Sequence, residues 1–206
     1  MNRTASSHLL WIVAAAVLGF TSAFLFGDVL DLSRGWFLVP HVALTLAFLL
    51  AYARWSGTDL RRLWTRRLVW GVLTATVLGV FLTFNVLGQP ASARPQGLAL
   101  WVDVLWQGVV YGAVDGLLLS VLPVVAAWRA CARRGWTARR PGKVAAALLG
   151  LVASVAVTAS YHAGYAEFRG PAMKMAVVGN SIMSGTLLVA ANPITAVGAH
   201  AAMHVA

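Results

Sequence analysis

The chain has 206 residues, 60% of them hydrophobic and only 11% charged, with a mean hydropathy of +0.77. A soluble domain is roughly 45–50% apolar and about 25% charged, so the composition excludes a soluble enzyme, a disordered chain and a soluble DNA-binding module. The net charge of +10 arises from cations set mainly in short loops between apolar runs, which makes membrane lipid the expected partner and excludes nucleic acid.

The expected class is all-α: a polytopic transmembrane helix bundle forming a single domain over 1–206. At ~20 apolar residues per span, the length admits about seven helices, the last one short. The first apolar run extends from Leu9 to Val29. Arg3, the apolar stretch and Thr21-Ser22-Ala23 have the outline of a signal peptide, but the run continues through Phe24–Phe26, so an uncleaved helix is expected. The second run spans Trp36–Trp55, after a short polar turn, and is followed by a basic loop, Ser56–Arg67. The third, Leu68–Gly88, is closed by Gln89-Pro90 and the turn-rich segment Ala91–Gln96. The fourth is long, Leu98–Trp128, and leads into a second basic loop, Arg129–Lys143. The fifth covers Val144–His162 and the sixth Met175–Ala191, ended by Asn192-Pro193. A seventh run, Ile194–Ala206, rises only ~20 Å against a ~30 Å hydrocarbon core. Either the sequence continues beyond it or the helix ends in a protein-lined cavity.

Alternating the runs across the membrane sorts the cations. Arg3, the five arginines Arg54, Arg61, Arg62, Arg66 and Arg67, and the six cations Arg129, Arg133, Arg134, Arg139, Arg140 and Lys143 fall on one side; Arg34, Arg94, Arg169 and Lys174 fall on the other. The positive-inside rule makes the first side cytoplasmic and places the N-terminus there, in a cell-membrane protein. The lone cysteine, Cys131, lies in a basic loop, excludes a disulfide framework and has no activating neighbour beyond cations.

Ionisable residues inside a span are costly and mark functional candidates. On the fourth run Asp103, Gln107, Tyr111 and Asp115 recur every four residues and line one helix face. Beside them run Gly108, Gly112, Gly116 and Ser120, a small-residue stripe that lets another helix approach closely. The stripe turns Asp115 into the bundle. His200-Ala-Ala-Met-His204 places two imidazoles on one helix face, a spacing able to serve a single metal. His162, one turn after Thr158, is a third candidate ligand. His41 with Thr45, and Asn180 with Ser184, read as hydrogen-bonded interior groups. Counted from the basic side at the helical rise, Asp115 lies ~20 Å deep, His204 ~20 Å, His200 ~14 Å and His162 ~27 Å. A His/Asp set of this kind suits zinc or another divalent metal.

These residues resemble the motifs of the CPBP family, the CAAX prenyl protease and bacteriocin-processing intramembrane proteases. That family carries Glu-Glu-x-x-x-Arg on one helix, Phe-x-x-x-His on a later one and His-x-x-x-Asn/Asp on the last. In the same order, across Trp101–Ala206, this chain has Val114-Asp115-x-x-x-Leu119, Thr158-x-x-x-His162 and His200-x-x-x-His204. The resemblance implies an intramembrane site on Asp115, His162, His200 and His204, with a membrane-embedded or prenylated peptide as substrate. His162 and His200 match outright. The glutamate that would activate water is Val114, which has no basic group; Asp115 is the nearest carboxylate, about 100° round the helix. The expectation is therefore a divergent member with lost or altered protease activity. An active metal-dependent peptidase using Asp115 is the first alternative. A haem-binding protein drawing axial ligands from the histidines, or a small transporter, is the alternative of another class.

Overall fold

The computed structural model describes residues 3–88 and 95–206. The turn expected at Gln89–Arg94, with the cation Arg94, lies outside the described residues. Six helices are long and apolar enough to cross a membrane: α1 (Ala5–Val29), α2 (Arg34–Ser56), α4 (Leu68–Leu87), α5 (Leu98–Arg133), α6 (Arg140–Ala163) and α7 (Ala172–Ala190). Two shorter helices, α3 (Leu60–Thr65) and α8 (Ile194–Val205), complete the set among the described residues. The protein is an all-α, multi-pass membrane bundle.

The helices outrun the apolar segments that announce them. Arginine and lysine are good helix formers, so α5 continues to Arg133 and α6 begins at Arg140, leaving only a short turn where a longer basic loop was expected. The first basic loop holds α3, whose N-terminus is capped by Asp59 accepting from the Arg62 N–H at 2.9 Å. At the start of α1 the Thr4 hydroxyl accepts from the Ser7 N–H at 3.2 Å. Each cap satisfies an N–H that the helix itself leaves free.

The outer faces of these helices are apolar and exposed: Leu10, Val13 and Val17 on α1, Val69, Val77 and Phe84 on α4, Leu148 and Val152 on α6. Patches of that extent mark a surface that meets lipid. α5 is different. Of its most apolar stretch 72% is buried, against 22–39% for the other five spans, so α5 is the central post of the bundle.

α5 is also irregular. It passes through π-helical turns at Asp103–Val110 and Gly116–Val121. Pro123 explains the second. It has no N–H to give the carbonyl four residues back, and its ring crowds that carbonyl. The freed acceptor is the Leu119 oxygen, and the Ser154 hydroxyl of α6 donates to it at 2.6 Å. Around this bond a closed polar ring joins three helices: Ser120 donates to Asn180 Oδ1 at 2.8 Å, Asn180 Nδ2 to Ser154 at 2.8 Å and Ser184 to Ser120 at 2.9 Å, and the Ser154 and Ser184 hydroxyls lie 2.6 Å apart.

α8 is wedged between α4 and α5, with α7 leading into it. The wedge depends on small residues. A Cβ on Gly112 would stand 2.6 Å from the Ala201 Cα and 2.9 Å from the His200 oxygen; one on Gly116 would stand 2.9 Å from the Val197 Cα; one on Gly79 of α4 would stand 3.1 Å from the Ala202 Cβ. The glycine face expected to receive another helix receives α8. Ala191 takes a left-handed conformation to end α7. Asn192, fully buried, then accepts from the Ile194 N–H at 2.8 Å and donates to the carbonyls of Trp64 and Arg66 at 2.9 and 2.7 Å. This fastens the start of α8 to the basic end of the bundle. α8 therefore climbs through protein, packed against α4 and α5.

Candidate functional site

α5 and α8 carry the site, and α2 closes it. With Gly112 and Gly116 against Ala201 and Val197, the neighbouring face of α5 presents Asp115 to the face of α8 that carries His200 and His204. One ligand atom from each of these three residues lies within 4.8 Å of the others. Asp115 is 2% and His200 4% exposed, while His204 is half-buried. The two imidazoles are nearly parallel, with centroids 5.3 Å apart and planes 10° apart. The i,i+4 spacing dictates that arrangement.

His162 stays out of this group. It sits near the end of α6, and its Nδ1 is bonded to the Thr158 carbonyl at 2.9 Å while its ring packs edge-on against Phe168 at 4.7 Å. The depth that set His162 apart from the other three in the sequence is the reason. The structure brings Asp115, His200 and His204 together and leaves His162 bonded within its own helix.

His41 enters in its place, though not as one of the converging ligand atoms. Its Nε2 lies 3.1 Å from Asp115 Oδ1, and its Nδ1 lies 3.1 Å from the Ser22 hydroxyl, which is also 3.0 Å from the Gly19 carbonyl. His41 is fully buried and stacks on Phe37 at 5.2 Å. A carboxylate held in this way by a fixed imidazole is oriented for a ligand on its other side. Sequence reading treats His41 as an interior histidine because its partner Asp115 lies 74 residues further along the chain. Its only local signal is that it is an ionisable group in the middle of a span.

Aromatic hydroxyls flank the site. Tyr111 bonds Tyr161 at 2.6 Å, and Tyr161 bonds Tyr165 at 3.0 Å, a chain that leads from the site toward the α6–α7 connection. The Tyr111 ring lies 4.6 Å from that of His204. Arg34, at the first position of α2, places Nη2 3.0 Å from His204 Nδ1 and its guanidinium 5.3 Å from the Tyr111 ring centroid. The remainder of the polar stripe is used locally: Gln107 Nε2 donates to Asp103 Oδ1 at 2.7 Å.

Does this set fit a metal? Two imidazoles and a carboxylate are a donor set for zinc, and three protein ligands leave a fourth position open. Ligands of a tetrahedral zinc at ~2.1 Å stand roughly 3.4 Å apart, so the three groups need to draw in by little more than an ångström. His200 Nδ1, moreover, is buried and has no hydrogen-bond partner. A buried polar atom without a partner is costly, and a ligand would remove that cost. The residues fit.

Comparison with protein-family models, with curated proteins and with solved structures finds no match.

Proposed function

We propose that the protein is a multi-pass protein of the cell membrane, with its N-terminus in the cytoplasm, whose Asp115, His200 and His204 hold a zinc-class divalent metal inside the bundle. The observation that carries the reading is the convergence of three ligand atoms within 4.8 Å around an unpartnered His200 Nδ1. A bound zinc supplies Lewis acidity and an activated water. This chain supplies the rest: His41 orients Asp115, Tyr111 walls the site, and the packed α5–α8 contact excludes lipid. No carboxylate base stands beside Asp115, because its neighbour Val114 is an apolar core residue. We therefore read the protein as a divergent relative of the CPBP proteases in which peptide cleavage is lost or altered. An active metal-dependent peptidase is the second reading, favoured by the open fourth position of an Asp/His/His set.

The test is metal analysis of detergent-purified protein. The expected result is about one divalent ion per chain, with His200→Ala lowering affinity at least ~100-fold, as loss of one of three ligands requires. Metal-free protein under saturating zinc would overturn the reading. Cleavage of a membrane-embedded or prenylated peptide, lost on metal chelation, would select the peptidase. For orientation, a cysteine placed at Ala166 in a Cys131→Ser background is expected to react with an impermeant thiol reagent on intact cells, and one at Ala138 is not. Labelling of Ala138 alone would invert the topology.

A further inference from the structure

The reach of Arg34 to His204 has a consequence in lone-pair counting. A neutral imidazole has one N–H and one lone pair. The guanidinium only donates, so the 3.0 Å bond from Arg34 Nη2 uses the lone pair on His204 Nδ1 and places the ring's hydrogen on Nε2. In that state His204 has nothing to give a metal. If a metal is to bind at Nδ1, Arg34 must vacate the position. If it is to bind at Nε2, the hydrogen moves to Nδ1 and faces the Arg34 N–H, donor against donor. Through either nitrogen, the Arg34 bond and metal ligation exclude each other.

A second observation points the same way. Arg34 is the first residue of α2 and exposed. A cation at a helix N-terminus opposes the helix dipole, so local helix energetics do not account for arginine there. Its guanidinium lies over the Tyr111 ring and reaches His204, at the edge of the Asp115/His200/His204 group. His200 and Asp115 are not blocked in this way: His200 Nδ1 is free, and only Oδ1 of Asp115 is bonded to His41.

We infer that Arg34 is a displaceable plug of the metal site: a resident cation that holds His204 while the site is empty and must swing away for a divalent metal to bind. The inference rests on the metal reading above. It assigns Arg34 a positioning role that sets metal affinity, and it couples metal occupancy to release of the α2 N-terminus. Coupling of this kind is reciprocal, so metal must free Arg34 as strongly as Arg34 opposes metal.

The experiment uses the full chain in detergent. Cobalt(II) is titrated into wild type and Arg34→Met, whose side chain is unbranched like that of arginine but uncharged and unable to donate. In parallel, phenylglyoxal modification of Arg34 is followed by peptide mass spectrometry, with and without cobalt, in wild type and His204→Ala. The expected results are a Kd lowered about tenfold in Arg34→Met, as for loss of one competing charge-assisted hydrogen bond, and faster Arg34 modification when cobalt is added to wild type. In His204→Ala, modification is fast and indifferent to cobalt. The modification rate separates competition from simple charge removal, because it reports movement of Arg34 in the unaltered chain. Cobalt binding with a Kd unchanged within twofold in Arg34→Met, or Arg34 modification indifferent to cobalt in wild type, overturns the plug and leaves the metal centre standing. Failure of cobalt to bind either chain overturns both.

Discussion

Two polar clusters lie inside this apolar bundle, and they are built to opposite specifications. In the ring of Ser120, Ser154, Asn180 and Ser184, each side chain has at least one partner, and the Leu119 carbonyl freed by Pro123 is taken up by Ser154. In the cluster of Asp115, His200 and His204, one buried nitrogen has no partner and another is held by an arginine reaching in from the end of α2. The first cluster is complete without any ligand and joins α5, α6 and α7. The second is incomplete, although the protein around it is closely packed. Polarity within a membrane is therefore not enough to mark a site. What singles out this cluster is an unpartnered buried nitrogen among converging ligand atoms.

The largest effect that tests this contrast comes from the framework. Gly112→Leu places a side chain where Ala201 and the His200 carbonyl already stand. Overpacking of a tight contact costs ~1–3 kcal/mol, and this contact is with backbone, which yields less than a side-chain tip. Thermal stability in detergent should fall by several degrees, and metal binding should be lost because α8 is pushed away from Asp115. If both are unchanged, α8 does not lie on the glycine face and the site is not assembled as described.

A mirrored pair separates the clusters themselves. Asn180→Ala removes one member of the closed ring and leaves Ser120 and Ser154 each short of a partner. An unsatisfied buried group costs ~1–3 kcal/mol, so the unfolding midpoint falls while cobalt affinity is retained. His41→Gln acts on the other cluster. It loosens Asp115 and should weaken metal binding about 10–100-fold, the usual consequence of losing the group that orients a ligand. Its effect on stability should be the smaller of the two. If Asn180→Ala abolishes metal binding while His41→Gln does not, the roles of the two clusters are exchanged.

Much of this architecture was legible in the sequence because it depends on local pattern. The apolar runs gave the spans, the glycines at 108, 112 and 116 gave the face that receives a helix, and the i,i+4 histidines gave two members of the site. What escaped depends on contacts between distant segments. His41 meets Asp115 across 74 residues, Arg34 meets His204 across 170, and Asn192 meets Trp64 across 128. None of these has a periodic signature. His162 shows the reverse case: it belongs to the same motif order as His200, yet its position near the end of α6 lets it bond the Thr158 carbonyl instead. α3 escaped because a six-residue helix dense in arginine has no apolar run to announce it.

The smallest effect tests whether an unpartnered group always signals a ligand. Thr45 is fully buried on α2, one turn after His41, and its hydroxyl has no partner. Unlike His200, it offers a metal no strong donor, and it is not among the converging ligand atoms. Valine has nearly the same shape without the hydroxyl, so Thr45→Val removes an unsatisfied polar group and leaves the β-branched packing of α2 in place. The expected gain is about 1 kcal/mol, or roughly 2–4 °C in Tm for a chain of this size, with cobalt affinity unchanged. A rise in Tm separates idle unsatisfied polarity from that at His200, where removal of the imidazole is expected to lower metal affinity at least ~100-fold. A fall in Tm, accompanied by weaker cobalt binding, would show that the Thr45 hydroxyl supports His41, and the boundary of the site would then extend one turn further along α2.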